Sequence, residues 1–294
     1  MMTKLKIAYQ GEPGANSHIA CMETHPSYDP LACNTFEDAF QAVKSGRAAL
    51  AMIPIENTTA GRVADVHHLL PDSGLSIVGE HFLRIRFQLL TLPGAKLSQA
   101  KTVHSHVHAL GQCRKAIKKY HLAPIVAADT AGAARELRDS GDKSRTAIAT
   151  ALAAKIYGLK IAARDIEDEE HNTTRFVILS KKSQAIKQSK ATVMTSFVFR
   201  VRNVPAALYK AMGGFATNGI NMTKLESYQI EGELSATQFY AEVEGHPEDR
   251  NLKLALEELG FFTSYLRVLG TYPASSFRNN SPQISSFPRK RESN

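Results

Sequence analysis

The residues of this chain that are best suited to chemistry lie in four short polar segments. The richest is residues 172–176, Asn-Thr-Thr-Arg-Phe, which precedes the apolar run Val-Ile-Leu. The Thr174 hydroxyl could donate a hydrogen bond to a departing oxygen, and the Arg175 guanidinium matches a carboxylate. Phe176 could form one wall of a ring-binding pocket or pack in the core. The segment predicts a site for a ligand that carries a carboxylate.

Two further segments stand where open α/β sheets bind their ligands. A glycine-containing turn at residues 11–18 follows the first predicted strand and begins a helix, whose first N–H groups favour an anion. A Glu-Asn-Thr-Thr run follows the strand predicted at residues 49–54, and ligand contacts collect at such strand ends. Either segment could instead be an ordinary turn or helix cap. The candidate contacts here are Ala15, Asn16, Ser17, Glu56, Asn57 and Thr58.

The fourth segment, residues 105–113, predicts a helix that begins near Ser105 and presents its first N–H groups to a carboxylate. His104, His106 and His108 would share one face of a strand and would then suggest a metal site. The helical pattern begins at this point, however, and no Asp or Glu stands nearby in sequence. We therefore expect neither a metal ion nor a cofactor here.

Composition places the chain among ordinary enzymes. It has 294 residues, of which 43% are hydrophobic, which is enough for two or three folding units. Three of its eight net positive charges follow Tyr272 and the others are dispersed, so we expect no nucleic-acid partner. The first residues lack the apolar run of a signal peptide, no apolar stretch could span a membrane, and the three cysteines lack paired spacing. These features predict a cytoplasmic protein without a membrane partner.

Apolar runs alternate with helical patterns through residues 1–182, which predicts an open α/β architecture. Phe82–Leu92 is the longest extended stretch, and Thr35 is a plausible N-cap of the second helix.

The composition and the pattern of apolar residues change after residue 182. Residues 183–191 are polar and predict a linker. Residues 192–272 follow the order βαββαβ of a split ferredoxin-like domain. Residues 273–294 are rich in Ser, Pro and Asn, and predict a disordered tail.

Taken in this order, the four segments resemble the prephenate dehydratase family over roughly residues 5–180. Asn-x-Thr-Arg-Phe is the family signature, and its Thr, here Thr174, is the residue associated with catalysis. The sequence departs from the family pattern at Val107, where Pro is usual, and at Thr58, where Ser is usual. The resemblance implies a two-lobed catalytic domain like type II periplasmic binding proteins. One lobe would hold about residues 1–80 and 160–182, and the other about 81–159.

The resemblance implies a lyase of L-phenylalanine biosynthesis that converts prephenate to phenylpyruvate, water and carbon dioxide without a cofactor. Thr174 would donate to the leaving hydroxyl, either as an acid or only as a hydrogen-bond donor. Arg175 and Asn57 would share the catalytic role. The other substrate contacts would be Ala15, Asn16, Ser17, Glu56, Thr58, Ser105, His106, Asn172, Thr173 and Phe176.

Residues 192–272 resemble ACT domains, which bind small effectors, usually amino acids. The dehydratase motifs Pro-Gly-Ala-Leu and Glu-Ser-Arg-Pro are changed here, because Ala206 replaces the Gly, and Tyr228 and Gln229 replace Arg-Pro. The resemblance implies a homodimer or homotetramer with feedback regulation by L-phenylalanine; a domain kept only for dimerisation is the alternative. The expected effector contacts are Asn203, Pro205, Ala206, Ala207, Leu208, Glu226 and Ser227.

Three other functions stay open on the sequence. An arogenate dehydratase acts on a substrate that differs only in an amino group in place of the side-chain keto group. A cytoplasmic ligand-binding regulatory protein would keep both domains but lack catalysis. A nucleic-acid regulator would use the basic balance of the chain.

Overall fold

The computed structural model describes residues 4–183, 192–202, 204–229 and 236–280, which form two lobes and a C-terminal domain. Residues 184–191 of the predicted linker and 281–294 of the predicted tail lie outside the described residues. Within the described part of the chain, no helix is both long and apolar enough to cross a membrane.

The first lobe is a mixed sheet covered by helices. Its strands are β1 (Lys6–Gln10), β2 (Asp29–Cys33), β3 (Leu50–Asn57), β4 (Gly61–Arg62), β5 (Ser76–Arg84) and β11 (Thr173–Ser180), and its helices are α1 (Asn16–Thr24), α2 (Phe36–Lys44) and α3 (Ala64–Asp72). The strand order is β2-β1-β3-β11-β5, with β4 beside β3. The predicted N-cap of α2 is confirmed, because Thr35 Oγ1 accepts a hydrogen bond of 3.1 Å from the Asp38 N–H.

The second lobe has its own sheet. Its strands are β6 (Gln88–Thr91), β7 (Thr102–Ser105), β8 (Ala123–Val126), β9 (Arg145–Ala149) and β10 (Lys160–Ala163), and its helices are α4 (Val107–Gln112), α5 (Arg114–Lys119), α6 (Thr130–Ser140) and α7 (Ala151–Ile156), with a 3₁₀ turn at Leu97–Gln99. The strand order is β10-β6-β9-β7-β8.

The chain crosses between the lobes at two places that differ slightly from the prediction. The extended stretch Phe82–Leu92 is two strands, because β5 ends at Arg84 in one sheet and β6 begins at Gln88 in the other. Lys160–Ala163 pairs antiparallel with β6, so it belongs to the second lobe and not to the first. The two-lobed α/β architecture itself is confirmed.

The C-terminal domain has the predicted βαββαβ order. It comprises β12 (Val193–Val201), α8 (Ala207–Thr217), β13 (Met222–Gln229), β14 (Ala236–Glu244), α9 (Arg250–Phe262) and β15 (Thr263–Pro273). Its antiparallel sheet, in the order β13-β14-β12-β15, packs one face under α8 and α9 through Phe197 and Phe199.

The other face of that sheet lies on the first lobe. Tyr240 and Tyr272 of the C-terminal domain share one continuous apolar core with Phe40 and Ile53. Gly270 permits this close packing, since a Cβ added there would lie 2.1 Å from the Ile77 carbonyl oxygen. The C-terminal domain is thus fixed against the sheet that carries residues 173–180.

The beginning of the predicted tail is ordered. Pro273 ends β15, and Ser276–Asn280 forms a 3₁₀ turn. Arg278 bonds Glu80 through Nε at 2.7 Å, and Phe277 stacks on Phe82 with ring centroids 4.6 Å apart. The prediction of a disordered tail is therefore corrected for residues 273–280, because buried partners in the first lobe hold this segment.

Candidate functional site

A cleft of about 420 Å³ lies between the two lobes, and three helices begin at its walls. The α1 start contributes Ala15, Asn16 and Ser17, which are three of the expected substrate contacts. The starts of α4 and α6 face it from the second lobe through His106 and Thr130. Helix starts present unpaired N–H groups and positive dipole ends, so the cleft suits an anionic ligand.

Thr174 stands on the cleft side of β11 and accepts a hydrogen bond of 2.9 Å at Oγ1 from Asn57 Nδ2. The Asn57 amide is oriented by its surroundings. Its Oδ1 accepts from the backbone N–H of Thr59 and of Ala60, each at 2.9 Å, and its Nδ2 also donates to Asn172 Oδ1 at 2.8 Å. Because Thr174 Oγ1 serves as an acceptor here, its own O–H remains available to donate into the cleft.

Gln112 joins the two lobes beside this pair, although it was not among the predicted site residues. Its Oε1 accepts from Asn172 Nδ2 at 2.8 Å, and its Nε2 donates to Thr59 Oγ1. One amide on α4 thus connects to the residues that hold Asn57. The signal was present in the sequence, because Gln112 stands in the polar segment of residues 105–113.

The structure corrects the role predicted for Ser105. Ser105 is the last residue of β7, and its fully buried hydroxyl donates to the Ile148 carbonyl oxygen at 2.7 Å, so it does not line the cleft. His106 occupies the N-cap position instead, and its Nδ1 accepts from the His108 N–H. Burial, with a smaller effect of neighbouring His108, lowers the pKa of His106. A neutral His106 can use Nε2 as a donor toward the cleft.

The strand β11 alternates between two environments. Thr174 and Phe176 line the cleft, whereas Arg175 points to the opposite side and is only 2% exposed. Glu56 on β3 accepts from Arg175 Nη1 at 3.0 Å on that same reverse side. Neither Arg175 nor Glu56 lines the cleft, because successive strand residues face opposite sides of a sheet. The predicted catalytic role of Arg175 and the predicted substrate contact of Glu56 are therefore corrected.

Thr58 and Thr173, two more of the predicted substrate contacts, bond to the protein backbone beside the cleft. Thr58 Oγ1 donates to the His171 carbonyl oxygen at 2.7 Å and accepts from the Thr173 N–H at 3.0 Å. This exchange ties the loop after β3 to the start of β11, and neither Thr58 nor Thr173 lines the cleft. Asn172, in contrast, lines the cleft.

Arg62 was not predicted, but it lines the cleft from β4. Its side chain is exposed, and Nη1 donates to the Ser227 carbonyl oxygen of the C-terminal domain at 2.7 Å. A guanidinium in this position could pair with a carboxylate of a bound ligand. Among the described residues no group of three or more His, Cys, Asp or Glu side chains could hold a metal ion.

The predicted effector residues fall on two elements of the C-terminal domain. Pro205 and Ala206 precede α8, and Ala207 and Leu208 begin it. Ala206 has a φ of 60°, so it adopts the left-handed conformation that Gly would take most easily. Glu226 and Ser227 lie on β13, and Asn203 lies outside the described residues.

Residues 7–184 match the family model for prephenate dehydratase. The chain belongs to the prephenate dehydratase family. It is 51% identical over 272 residues to a bifunctional N-acyl-homoserine lactone acylase/prephenate dehydratase of Komagataeibacter europaeus, which covers 92% of this chain and 97% of that relative. It is 36% identical over 288 residues to arogenate dehydratase 2 of Petunia hybrida, which covers 93% of this chain and 73% of that relative.

A solved structure agrees with the family assignment. The prephenate dehydratase of Arthrobacter aurescens in complex with L-Phe superposes with a TM-score of 0.83 at 28% identity, covering 92% of each chain. The resemblance inferred from the four polar segments is therefore confirmed. In this prephenate dehydratase family member, the segments around Asn57, His106 and Thr174 meet at one cleft.

Proposed function

We propose that this protein converts prephenate to phenylpyruvate, carbon dioxide and water in the cleft between its lobes. The observation that carries the proposal is the hydrogen bond from Asn57 to Thr174, at a position surrounded by three helix starts. It supplies a hydroxyl with a defined orientation beside a site suited to a substrate with two carboxylates.

The proposed reaction requires few chemical groups from the protein. The bond between C1 and its carboxylate breaks, and its electron pair enters the ring as carbon dioxide leaves. The C4–O bond breaks at the other end of the ring, and the departing hydroxide takes up a proton, supplied in net terms by the solvent, to become water. The Thr174 O–H is the donor that stabilises the charge developing on that oxygen, and the ring becomes aromatic.

The remaining cleft residues would bind and orient the substrate. Backbone N–H groups at Asn16 and Ser17, the side chain of Arg62 and the start of α4 would hold the carboxylates. Phe176 would lie against the ring. Asn57 would orient Thr174 rather than contact the reacting carbon atoms.

The direct test is to incubate the protein with prephenate and to measure the phenylpyruvate formed by its absorbance in alkali. Thr174→Ala should lower kcat about 10²- to 10⁴-fold, the usual contribution of a positioned proton donor, while the far-UV circular dichroism stays unchanged. If wild-type protein forms no phenylpyruvate, a ligand-binding protein without catalysis becomes the better reading. If the wild type is active and Thr174→Ala retains full activity, Thr174 is not the donor.

L-Phenylalanine is the effector that we propose, bound between C-terminal domains of the ACT type in a homodimer or homotetramer. The L-Phe complex of the Arthrobacter aurescens protein and the left-handed Ala206 support this assignment. Millimolar L-phenylalanine should lower kcat or raise the melting temperature. The location that we propose is a separate point: three buried, unpaired cysteines suit the reducing cytoplasm. For the effector, the measured quantities are kcat and the melting temperature. No change in either quantity would exclude the effector role.

Arogenate is the alternative substrate, because the petunia relative is named an arogenate dehydratase. The two substrates differ only in the side chain, where an amine replaces a ketone. Measurements of kcat/KM on both substrates with one enzyme preparation decide the preference.

A second activity has one specific observation in its favour, the 51% identity to a relative whose name includes N-acyl-homoserine lactone acylase. The cleft carries apolar walls at Ile85, Phe87 and Phe176 that could hold an acyl chain. Amide hydrolysis usually requires a nucleophile activated by a base, and among the described cleft residues no hydroxyl is bonded to a histidine ring. Release of free homoserine lactone, measured by mass spectrometry with Thr174→Ala alongside, tests whether such an activity exists and shares the cleft.

A further inference from the structure

The two strands that carry the proposed catalytic pair also carry a charged pair on their reverse side. Thr174 and Asn57 are directly opposed in the pairing of β11 with β3, and so are Arg175 and Glu56. Asn57 and Thr174 face the cleft, whereas Glu56 and Arg175 line a separate cavity of about 310 Å³ against the C-terminal domain. Each residue of the catalytic pair is therefore bonded through the backbone to a residue of the charged pair.

Arg175 is held almost entirely by buried partners. Its Nη1 donates to Glu242 at 2.7 Å, its Nη2 donates to the Tyr272 hydroxyl at 3.0 Å, and its Nε donates to Glu80 at 2.9 Å. Burial alone would lower the pKa of Arg175, but Tyr272 and Glu242 outweigh it, and the pKa lies well above the ordinary value. Arg175 therefore stays charged and is shared between the first lobe and the C-terminal domain.

Arg278 closes the same cluster from the segment after β15. Its Nη2 donates to Glu80 at 2.8 Å and to Glu242 at 3.0 Å. The side chains of Glu80 and Glu242 are 0% and 1% exposed. A buried charge without its partner costs several kcal/mol, so these groups have few alternative arrangements. The cluster therefore holds the Arg175 guanidinium in one position.

Glu56 has a second link to the C-terminal domain. Lys224 on β13 bonds Glu56, and the same ammonium pairs with Glu226 at 2.7 Å. Glu226 belongs to the strand segment expected to contact an effector. A change at β13 would therefore reach Glu56, and through it the neighbouring Asn57, over two side-chain contacts.

We propose that Glu242 and Lys224 of the C-terminal domain are positioning residues for the cleft, acting on Thr174 and Asn57 through Arg175 and Glu56. The proposal rests on the dehydratase function and adds the route by which the C-terminal domain controls it. A shift of β13 or β14 moves Arg175 or Glu56, and these share a backbone with the pair whose hydrogen bond orients the donor. Small displacements matter, because misplacement by about 1 Å can lower a rate by about 10²-fold.

The variant that tests this is Lys224→Met, which keeps the length of the side chain and removes its charge. Lys224 is partly exposed, so the variant should fold. We expect kcat to fall about threefold to thirtyfold with KM within twofold, the size of effect that coupling residues outside a ligand site produce. Lys253→Met, at an exposed position on α9, is the control and should leave kcat unchanged.

A double-mutant cycle with Asn57→Ala separates positioning from general damage. If Lys224 acts through Asn57, Lys224→Met should lower kcat little further in the Asn57→Ala background. Additive losses, a rise in KM in place of the fall in kcat, or a kcat within twofold of wild type would overturn the proposal. A wild-type protein without dehydratase activity would instead overturn the proposed function.

Hydrogen exchange gives a readout that does not depend on activity. Peptides from β3 and β11 should exchange faster in Lys224→Met than in Lys253→Met, while peptides from β7 and β9 in the second lobe should not change. Unchanged exchange in β3 and β11 would overturn the positioning role whether or not the protein is an enzyme.

Discussion

Asn57 Nδ2 lies 2.9 Å from Thr174 Oγ1, on two antiparallel strands whose residues 57 and 174 are paired. The Asn57 side-chain oxygen is occupied by donors from residues 59 and 60, so the amide cannot turn over without losing them. The hydroxyl of Thr174 is thereby left to donate to whatever occupies the cleft. In the proposed reaction, the hydroxyl that donates to the substrate belongs to Thr174, and the amide that orients this hydroxyl belongs to Asn57.

Thr174→Val should separate the hydroxyl from the shape of the side chain. Valine is close in volume but cannot donate, so we expect kcat to fall about 10²- to 10⁴-fold, whereas Thr174→Ser should keep kcat within about tenfold. Steady-state phenylpyruvate formation measures both. Thr173→Val, one residue away and outside the cleft, is the matched control. Equal rates for the Val and Ser variants would contradict the role of the hydroxyl.

Gln112→Glu should weaken the bridge between the lobes. A carboxylate can still accept from Asn172 but cannot donate to Thr59. We expect kcat/KM to fall about tenfold, since removing one hydrogen bond of this kind costs about 1–2 kcal/mol. Kinetics on prephenate measure the loss. Gln99→Glu, in the 3₁₀ turn far along the second lobe, should have no effect.

Gly14→Ala should disturb the contact between the lobes by a clash. Gly14 has a φ of 98°, and a Cβ there would lie 2.7 Å from Ala153 Cα, while Thr150 Oγ1 donates to its carbonyl oxygen at 2.5 Å. We expect a loss of stability of about 2–3 kcal/mol by urea unfolding. Gly74→Ala also stands at a positive φ, 69°, but has nothing within 4 Å of the added Cβ, so it should cost about 1 kcal/mol through backbone strain alone. Similar losses for both variants would show that the Ala153 contact is unimportant.

The orientation of Arg175 follows from its place in a β-strand, but its partners could not be predicted from the sequence. Successive residues of a β-strand face opposite sides of the sheet, so Thr174 and Arg175 cannot both line one cleft, although both were predicted to serve the site. This alternation could not reveal that the C-terminal domain covers the Arg175 side, because Glu242 and Tyr272 are 67 and 97 residues away. A guanidinium in a family signature therefore suggested a ligand contact, and the structure shows a contact between domains.

The same limit explains the other corrections. The helix near Ser105 was predicted from an apolar pattern, but the pairing of Ser105 with Val126 extends β7 by tertiary contact. Arg278 stands in a segment rich in Ser and Asn that looks unstructured, and only its partners in the first lobe order it. The glycine turn, the Thr35 cap and the βαββαβ order depend on local residues and were predicted correctly.

Arg175→Met should destabilise the protein rather than act through substrate binding. Removing Arg175 from the buried ionic cluster leaves Glu80 and Glu242 to share Arg278 and takes away the guanidinium that lies between them, which costs about 3–5 kcal/mol. Urea unfolding monitored by circular dichroism measures this loss, with Arg164→Met at an exposed position as the control. A stable Arg175→Met protein with a raised KM for prephenate would restore the substrate-binding role.

The burial of His67 leads us to expect a lower free energy of unfolding in mild acid. It is 2% exposed, lies between the rings of Tyr228 and Tyr240 of the C-terminal domain, and neither ring nitrogen has a hydrogen-bond partner among the described residues. Burial, as the largest cause, lowers the pKa of His67 to about 4. The unfolded chain, with a pKa of about 6.5, binds the proton more readily, so the stability that neutral His67 permits is complete above about pH 6.5 and is lost as the pH falls toward 4.

The expected loss at about pH 5 is about 2 kcal/mol relative to neutral pH, obtained from these two pKa values. His67→Phe should remove this part of the pH dependence, because a phenyl ring fits the same aromatic contacts and does not titrate. His68→Phe, at the exposed neighbouring position, should retain it. The depressed pKa values of Glu56 and Glu242 change stability in the same direction, so the comparison between the two variants, measured by urea unfolding at both pH values, isolates His67. An equal pH dependence in both variants would mean that protonation of His67 does not contribute to the loss of stability in acid.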